Sequence, residues 1–353
     1  MVSLGGSALT NKSNVTAGGR FVWADVIKGV CIVLVVLVHV TNKQYPAVSG
    51  PESVHAFWDV LSRGLNPVRM PLFFLMSGFL AAPSINRPWS KVLQRRVAQP
   101  YYLYVVWLVL SGAFYAALAA PVDGMGAASL SGVLRSLAFP SSSLWYLYAL
   151  GAYFLFAKAL AGLPRPASMA IAVSLAVVAS MWPLTVQLGV VGNFVFFVIG
   201  AYFPRLVEAT ADRACPSRAL IAACLYLGVV GLYVAGADDI AGVRPAAAAV
   251  ATWGGVTVVA VLARFSWLAK VGQFVGRNTL PVYVLHLPLL ALLSHSIALQ
   301  SDGGWLPYLF ATLYPVVTTV ALVIASLGLR RFSTMIGFGW LFSMPGDHLR
   351  PRK

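Results

Sequence analysis

Long runs of apolar residues, each close to the length needed to cross a bilayer, recur along the chain with short polar segments between them. A hydrocarbon core about 30 Å thick needs about 20 predominantly apolar residues in one helix. The pattern therefore predicts an all-α polytopic membrane protein of about ten transmembrane helices. The predicted spans are residues 21–41, 67–82, 97–120, 144–161, 167–182, 188–204, 219–235, 245–263, 279–298 and 307–329.

The composition supports the same class of protein. Of 353 residues, 59% are hydrophobic and 10% are charged, whereas a soluble domain carries about 25% charged residues. The net charge of +15 would favour a nucleic-acid partner in a soluble chain. In a membrane protein the surplus is explained by cytoplasmic loops, which collect Lys and Arg. We therefore expect contact with membrane lipid and no nucleic-acid partner.

The distribution of basic residues predicts the orientation of the chain. With a cytoplasmic N-terminus, 20 of the 25 Lys and Arg residues fall on the cytoplasmic side. One missed or added helix would move every later loop to the other side and destroy this asymmetry. We therefore predict a cytoplasmic N-terminal tail (1–20), a membrane domain (21–329) and a basic cytoplasmic C-terminal tail (330–353).

Ionisable residues inside apolar spans are candidates for function, because a charge in a bilayer is costly and normally faces a cavity or a partner. In the first span, His39 follows Lys28 by about 16 Å of helix rise. It lies past mid-membrane if Asp25 and Lys28 are near the cytoplasmic surface. A neutral imidazole there is suited to take a proton from an attacking hydroxyl. The alternative is a histidine that only bonds to a neighbouring helix.

The ninth span contains a second histidine, His286, at a depth comparable with that of His39. The two histidines are therefore expected to meet in one cavity. Tyr283 lies three residues before His286 and shares its helix face. A purely structural hydrogen bond is the alternative for His286. A metal site built on two histidines would need a further ligand, such as a carboxylate or a cysteine. We do not expect these spans to complete such a site, and we therefore predict no metal.

Two basic features border the second span. Arg69 lies at its outer end, where it either snorkels to the interface or contacts a substrate. The following basic loop, residues 87–96, either only sets the topology or binds an anionic phosphate donor such as coenzyme A at the inner face. Ser77 and Gly78, between the two features, would permit close packing of helices.

At four places these residues resemble the acyltransferase 3 family of membrane O-acyltransferases. Lys28 and His39, with ten residues between them, are similar to the Arg/Lys-x10-His signature of that family. Residues 70–79 resemble its second-helix motif, residues 143–148 its Leu-Trp-Phe/Tyr-Leu segment, and residues 276–286 its Gly-x-Asn-Ser/Thr-Leu-x-x-Tyr-x-x-His segment. The resemblance covers essentially the whole chain, with its motifs in the family's order.

The resemblance implies transfer of an acyl group, commonly acetyl from acetyl-coenzyme A, to a hydroxyl of a cell-envelope glycan, glycolipid or lipid-linked sugar. It implies a multi-pass protein of the plasma or inner membrane, with acyl-coenzyme A as a co-substrate and no bound cofactor. His39 would be the general base, Lys28 its paired basic position and Asp25 a further catalytic candidate. Candidate substrate-binding residues are Arg69, Trp145, Asn278, Tyr283 and His286, and candidate donor-binding residues are Lys91, Arg95 and Arg96.

One position departs from the family pattern. The family often has Arg-x-x-Arg before a proline at the start of the third span, and Leu93 occupies the first of these arginine positions here.

Two other functions are compatible with the sequence. The chain could be a transporter or flippase of an envelope lipid or sugar precursor, which would move its substrate without changing its mass. It could also be a structural assembly subunit, although unpaired mid-depth histidines would then serve no purpose in packing.

Overall fold

The computed structural model describes residues 21–118, 130–183, 185–296 and 305–345, and within these ranges the regular structure is helical without strands. The predicted tail 1–20, residues 346–353 of the predicted C-terminal tail, and the last residues of the predicted spans 97–120 and 279–298 lie outside the described residues. The helices are α1 (Val22–Lys43), α2 (Glu52–Ile85), α3 (Trp89–Leu93), α4 (Gln99–Ala117), α5 (Leu130–Ala138), α6 (Trp145–Leu160), α7 (Arg165–Ala179), α8 (Val186–Tyr202), α9 (Pro204–Asp212), α10 (Pro216–Val234), α11 (Val243–Leu262), α12 (Ser266–Arg277), α13 (Thr279–Ser296) and α14 (Trp305–Met335).

Among the described residues, six helical segments are long and apolar enough to cross a membrane, and a seventh is obtained if α8 and α9 form one bent span. The axes of α8 and α9 differ by 81°. The helices α7 and α13 are apolar but shorter than this requirement. Each predicted span overlaps a helix, so the all-helical membrane class is confirmed. The count of ten spans and the cytoplasmic position of both termini stay predictions.

The helix α2 is twice as long as the predicted span 67–82. It begins at Glu52 and continues through Pro67 and Pro71 without a break. In its first half, the buried residues Val54, Trp58 and Leu65 are separated by four and seven positions, while Phe57, Asp59 and Arg63 between them are exposed. This pattern is typical of an amphipathic helix, whose polar positions lower the hydropathy below that of a membrane span. The helix therefore starts about 22 Å of rise before the predicted span.

Glycines set the closest approach between α2 and α8. A Cβ atom added to Gly78 would lie 2.1 Å from the carbonyl oxygen of Phe197, and one added to Gly200 would lie 2.1 Å from that of Leu75. No side chain fits at such distances, so the two backbones touch directly. The close-packing role predicted for Gly78 is confirmed, and it is the role that small residues usually have in membrane helices.

The predicted boundary at residue 330 falls inside α14. The helix ends only near Gly337, which adopts a left-handed conformation with φ of +89°. The chain then forms a short 3-10 turn, Gly339–Leu341, whose Leu341 carbonyl accepts a hydrogen bond from Trp107 Nε1 at 2.8 Å. Phe342 is buried beside the same indole. This part of the predicted tail is therefore packed against α4 as part of the folded domain.

Candidate active site

The helices α1 and α13 bring two histidines into direct contact. His39 lies one turn before the end of α1 and is half-buried, whereas His286 on α13 is only 1% exposed. His39 Nδ1 is 2.8 Å from His286 Nε2. The ring planes are 8° from parallel with centroids 5.0 Å apart, so this short contact joins the edges of the rings. The expected meeting of the two histidines is confirmed.

A backbone carbonyl determines which nitrogens carry protons. His286 Nδ1 is 3.0 Å from the carbonyl oxygen of Val282, which can only accept, so the hydrogen-bond network assigns a proton to Nδ1. In a neutral imidazole the other nitrogen is then an acceptor, and His39 Nδ1 donates to it. His39 Nε2 is left with a free lone pair. This is the nitrogen that can take a proton from a hydroxyl.

Tyr283, one turn before His286, fixes α13 against the start of α6. Its hydroxyl donates to the carbonyl oxygen of Ser143 at 2.5 Å and accepts from the backbone N–H of Tyr146 at 3.1 Å. The hydroxyl of Tyr146 is in turn 2.8 Å from Ser77 Oγ on α2. The contacts of Tyr283 therefore hold the histidine helix against α6, and its predicted role in substrate binding stays a prediction.

Asp25 and Lys28 lie far from His39, at the opposite end of α1. The buried Asp25 carboxylate pairs with Lys28 Nζ and with Arg277 Nε on α12, each at 3.2 Å. Beside this pair, a Cβ atom on Gly276 would lie 1.8 Å from the Asp25 carbonyl oxygen. The ion pairs and the glycine contact fasten α12 to α1. About 16 Å of helix rise separates Lys28 from His39, so the structure does not assemble these catalytic candidates in one site.

Asn278 belongs to the same end of the molecule as Asp25. Its Nδ2 donates to the carbonyl oxygen of Phe274 at 2.7 Å, and Arg330 on α14 donates to its Oδ1. Asn278 thereby joins the break between α12 and α13 to the end of α14. It is about 12 Å of helix rise below His286. Asn278 is therefore not in contact with the histidine pair, and its role in substrate binding stays a prediction.

The candidate donor-binding residues lie in an irregular helical segment. Residues Gln94–Ala98 form one turn of π-helix between α3 and α4, and such turns often occur at functional sites. Arg96 donates to the Leu80 carbonyl oxygen at 2.9 Å and to Ser84 Oγ at 3.1 Å, so its guanidinium is tied to α2. Lys91 and Arg95 are exposed. Lys91 belongs to α3, and Arg95 belongs to the π-helical turn.

Arg69 and Trp145 line a partly open cavity of about 360 Å³ between residues of α2, α6, α7, α8, α10 and α11. Arg69 donates to Asn66 Oδ1 at 3.1 Å. Sequence reasoning missed three polar residues that share this cavity, Arg244, Asp238 and Tyr233. Of these three, only Arg244 carried a signal in the sequence, because it is a charged residue at the start of a predicted span. Arg69 and Trp145, which were each predicted to bind substrate, therefore line the same cavity.

Within the described parts of the chain, no group of three or more His, Cys, Asp or Glu side chains is assembled as metal ligands. The geometry of the histidine pair suits acid–base chemistry, because a hydrogen bond holds one ring nitrogen of His39 and leaves the other to accept a proton. A base whose second nitrogen is held by a buried acceptor is the arrangement by which many enzymes activate a hydroxyl for attack on an acyl carbon.

Comparison with known proteins gives a consistent picture. A family model described as an acyltransferase domain matches residues 21–330. The inner membrane protein YcfT of Escherichia coli K12 is 27% identical over 362 residues, covering 92% of this chain and 96% of YcfT. The nodulation protein NolL of Sinorhizobium fredii NGR234 is 27% identical over 213 residues, covering 58% of this chain and 54% of NolL. No solved structure matches.

Proposed function

Since the chain belongs to the acyltransferase 3 family and is an acyltransferase of the membrane, we propose that it is an O-acyltransferase of the cell envelope in which His39 is the general base. The observation that carries the proposal is the hydrogen bond of 2.8 Å between His39 Nδ1 and His286 Nε2. It leaves His39 Nε2 unprotonated and oriented. His39 is half-buried, whereas its partner His286 is buried.

The proposed reaction transfers an acyl group, acetyl by family analogy, from acyl-coenzyme A to a hydroxyl. His39 Nε2 removes the hydroxyl proton while the oxygen attacks the thioester carbonyl carbon. The new C–O ester bond forms, the C–S bond breaks, and the proton passes from Nε2 to the departing thiolate. Throughout, the Nδ1–H of His39 remains bonded to His286, which stabilises the ring orientation and the transient imidazolium.

The donor is proposed to bind from the cytoplasmic face. The exposed side chains of Lys91 and Arg95 lie beside the π-helical turn and suit the phosphates of coenzyme A. Arg96, tied to α2, would hold this turn in position. The phosphates and the thioester are far apart in an extended acyl-coenzyme A, which agrees with a basic inner face and a reacting centre deep in the membrane domain.

Asp25 and Lys28 are proposed as positioning residues. They do not touch His39, but their pairing with Arg277 sets how α12 lies against α1, and α12 leads directly into α13 and His286. The two residues of the family signature then have different roles in α1. Lys28, near its start, helps to hold the helix in position, and His39, near its end, is the proposed base. Asn278 and Tyr283 have the same kind of role in positioning α13.

We place the protein in the plasma or inner membrane as a multi-pass protein with ten spans and both termini in the cytoplasm. The relative YcfT is an inner membrane protein, which supports the membrane location. The start of α1, the start of α13 and the end of α14 are linked at one end of the molecule, which is compatible with the proposed topology. In a ten-span chain with a cytoplasmic N-terminus, all three lie on the cytoplasmic side.

Acyl transfer and transport are distinguished by the mass of the acceptor. Membranes from cells that make the protein, and matched membranes without it, would be supplied with acetyl-coenzyme A labelled in the acetyl group. We expect label in an extractable glycan, glycolipid or lipid-linked sugar, each modified molecule heavier by one acetyl group. Movement of an envelope precursor across vesicle membranes with no change in its mass would instead establish the transporter or flippase.

A further inference from the structure

The cavity beside Arg69 combines buried charge with aromatic rings on the side of the molecule away from the Asp25 cluster. Its wall includes Arg69 at the middle of α2 and Arg244 at the start of α11. In the ten-span topology both arginines belong to the outer half of the membrane domain. An opening there would face substrates of the envelope, whereas the basic π-helical segment faces the cytoplasm.

Both arginines keep hydrogen-bonding capacity that the protein does not use. Arg69 Nε and Arg244 Nε are buried and have no hydrogen-bond acceptor, although Arg244 Nη2 donates to the Ser180 carbonyl at 2.7 Å and also to that of Trp182. Asp238 lines the same cavity, and none of the ion pairs recorded for the described residues joins it to either arginine. The three formal charges sum to one positive charge. Uncompensated cations at this depth favour an anionic ligand.

The remaining wall suits a sugar ring. Trp145 and Tyr233 supply aromatic surface next to the two guanidinium groups, and Asn193 supplies a side-chain amide. A sugar presents C–H groups on its faces and hydroxyl groups at its edge, so an aromatic ring and nearby polar groups recognise it together. A cavity of about 360 Å³ has room for one such ring with a small substituent.

We infer that this cavity is the acceptor site of the transferase and that it selects a sugar carrying an anionic group, either a phosphate or a carboxylate. The inference rests on the proposed function and narrows its substrate class. Trp145 joins the cavity to the reacting centre, because the next residue, Tyr146, donates its backbone N–H to the hydroxyl of Tyr283, one turn before His286. The anion is held by Arg69 and Arg244, and a hydroxyl of the same sugar is then directed towards His39 Nε2.

The first test measures binding without acyl transfer. The full chain is purified in detergent, and its thermal unfolding midpoint is titrated with glucose 1-phosphate, glucuronate, glucose and inorganic phosphate. We expect one of the two anionic sugars to bind about tenfold more tightly than glucose and than inorganic phosphate, because each lacks one of the two recognition elements. Comparing glucose 1-phosphate with glucuronate identifies the anion. Equal affinity for all four probes, or binding of none, would overturn the inference.

Two substitutions, one that removes a positive charge and one that removes a negative charge, distinguish loss of anion binding from loss of folding. Arg244→Gln is expected to weaken binding of the anionic sugar about tenfold, whereas Asp238→Asn is expected to tighten it, since it removes the only negative charge among these three residues. Arg63→Gln is the matched control, because Arg63 is an exposed arginine of α2 that pairs with Asp59 outside the cavity. If Asp238→Asn weakens anion binding, or Arg63→Gln matches Arg244→Gln, the assignment is wrong.

Activity measurements test the transferase function and the anionic acceptor site separately. Transfer to neutral and anionic acceptors with equal kcat/KM would preserve the transferase and overturn this inference. Binding of the anionic sugar that depends on Arg244, with no acyl transfer to any acceptor, would preserve the binding site and contradict the transferase function.

Discussion

His39 Nδ1 lies 2.8 Å from His286 Nε2, and His286 Nδ1 lies 3.0 Å from the carbonyl oxygen of Val282. The two contacts form a chain that runs from the backbone of α13 to the half-buried imidazole of α1. Because the carbonyl can only accept, each step of the chain has a defined direction. A peptide group thus determines which nitrogen of His39 is free to act as a base, in the way that a buried carboxylate orients the histidine of a catalytic triad.

The first prediction concerns His286 as a positioning residue. His286→Ala leaves His39 free to rotate, and kcat for acyl transfer is expected to fall about a hundredfold, while KM for acetyl-coenzyme A stays the same. His286→Gln retains a side-chain oxygen that can accept from His39 Nδ1, so it should recover part of the lost kcat. Steady-state kinetics on equal amounts of folded protein measure both effects. A role in folding alone would lower the yield of both variants and leave their kcat unchanged.

The second prediction concerns the proposed phosphate contacts of the donor. Arg95→Gln and Lys91→Gln are expected to raise KM for acetyl-coenzyme A by about fivefold each, because each removes one exposed cation near the phosphates. With S-acetylpantetheine, which has no phosphate, the same variants should behave as the wild type. Lys270→Gln, at an exposed lysine of α12, serves as the control. Equal losses with both donors would show that the segment does not recognise phosphate.

The third prediction concerns the buried Asp25. Asp25→Asn removes the charge that pairs with Lys28 and Arg277, and it is expected to lower the free energy of unfolding by about 1–3 kcal/mol. The matched control is Asp59→Asn, since Asp59 pairs with Arg63 at the surface, where both side chains are about half exposed. That control should change stability by less than about 0.5 kcal/mol. Thermal unfolding in detergent compares the variants, and equal midpoints for both would contradict the account of this end of α1.

The fourth prediction concerns the backbone contact between α2 and α8. Gly78→Ala places a methyl group against the Phe197 carbonyl, and the helices must separate, at a cost of about 1–3 kcal/mol. Gly228→Ala is the control, because a Cβ atom at Gly228 meets nothing within 4 Å. The control should be neutral or stabilising, since alanine favours helix more than glycine does. If Gly78→Ala unfolds at the same temperature as the wild type, this contact is looser than described.

Sequence reasoning succeeded where depth along one helix decides position. His39 and His286 each lie at a depth that follows from a rise of about 1.5 Å per residue, so their meeting could be predicted without knowing how the helices pack. The packing of Gly78 could also be predicted, because few other roles suit a glycine in an apolar helix.

The remaining features depend on tertiary structure. Nothing in the sequence places Arg277 beside Asp25, because they are 252 positions apart and meet only through glycine contacts between α1 and α12. The first half of α2 was missed because its polar residues lower its hydropathy, although its buried positions recur with helical spacing. The cavity lined by Arg69, Arg244 and Asp238 could not be predicted, since it depends on how at least five helices enclose it.

The central claim is that His39 Nε2 is the base of an acyl transfer. The most direct test is transfer of labelled acetyl from acetyl-coenzyme A to envelope acceptors by the wild type, by His39→Ala and by the control His55→Ala, at equal amounts of folded protein. The account predicts that His39→Ala loses activity by about 10²–10⁴-fold, while His55→Ala stays close to the wild type. Full activity of His39→Ala would contradict the account.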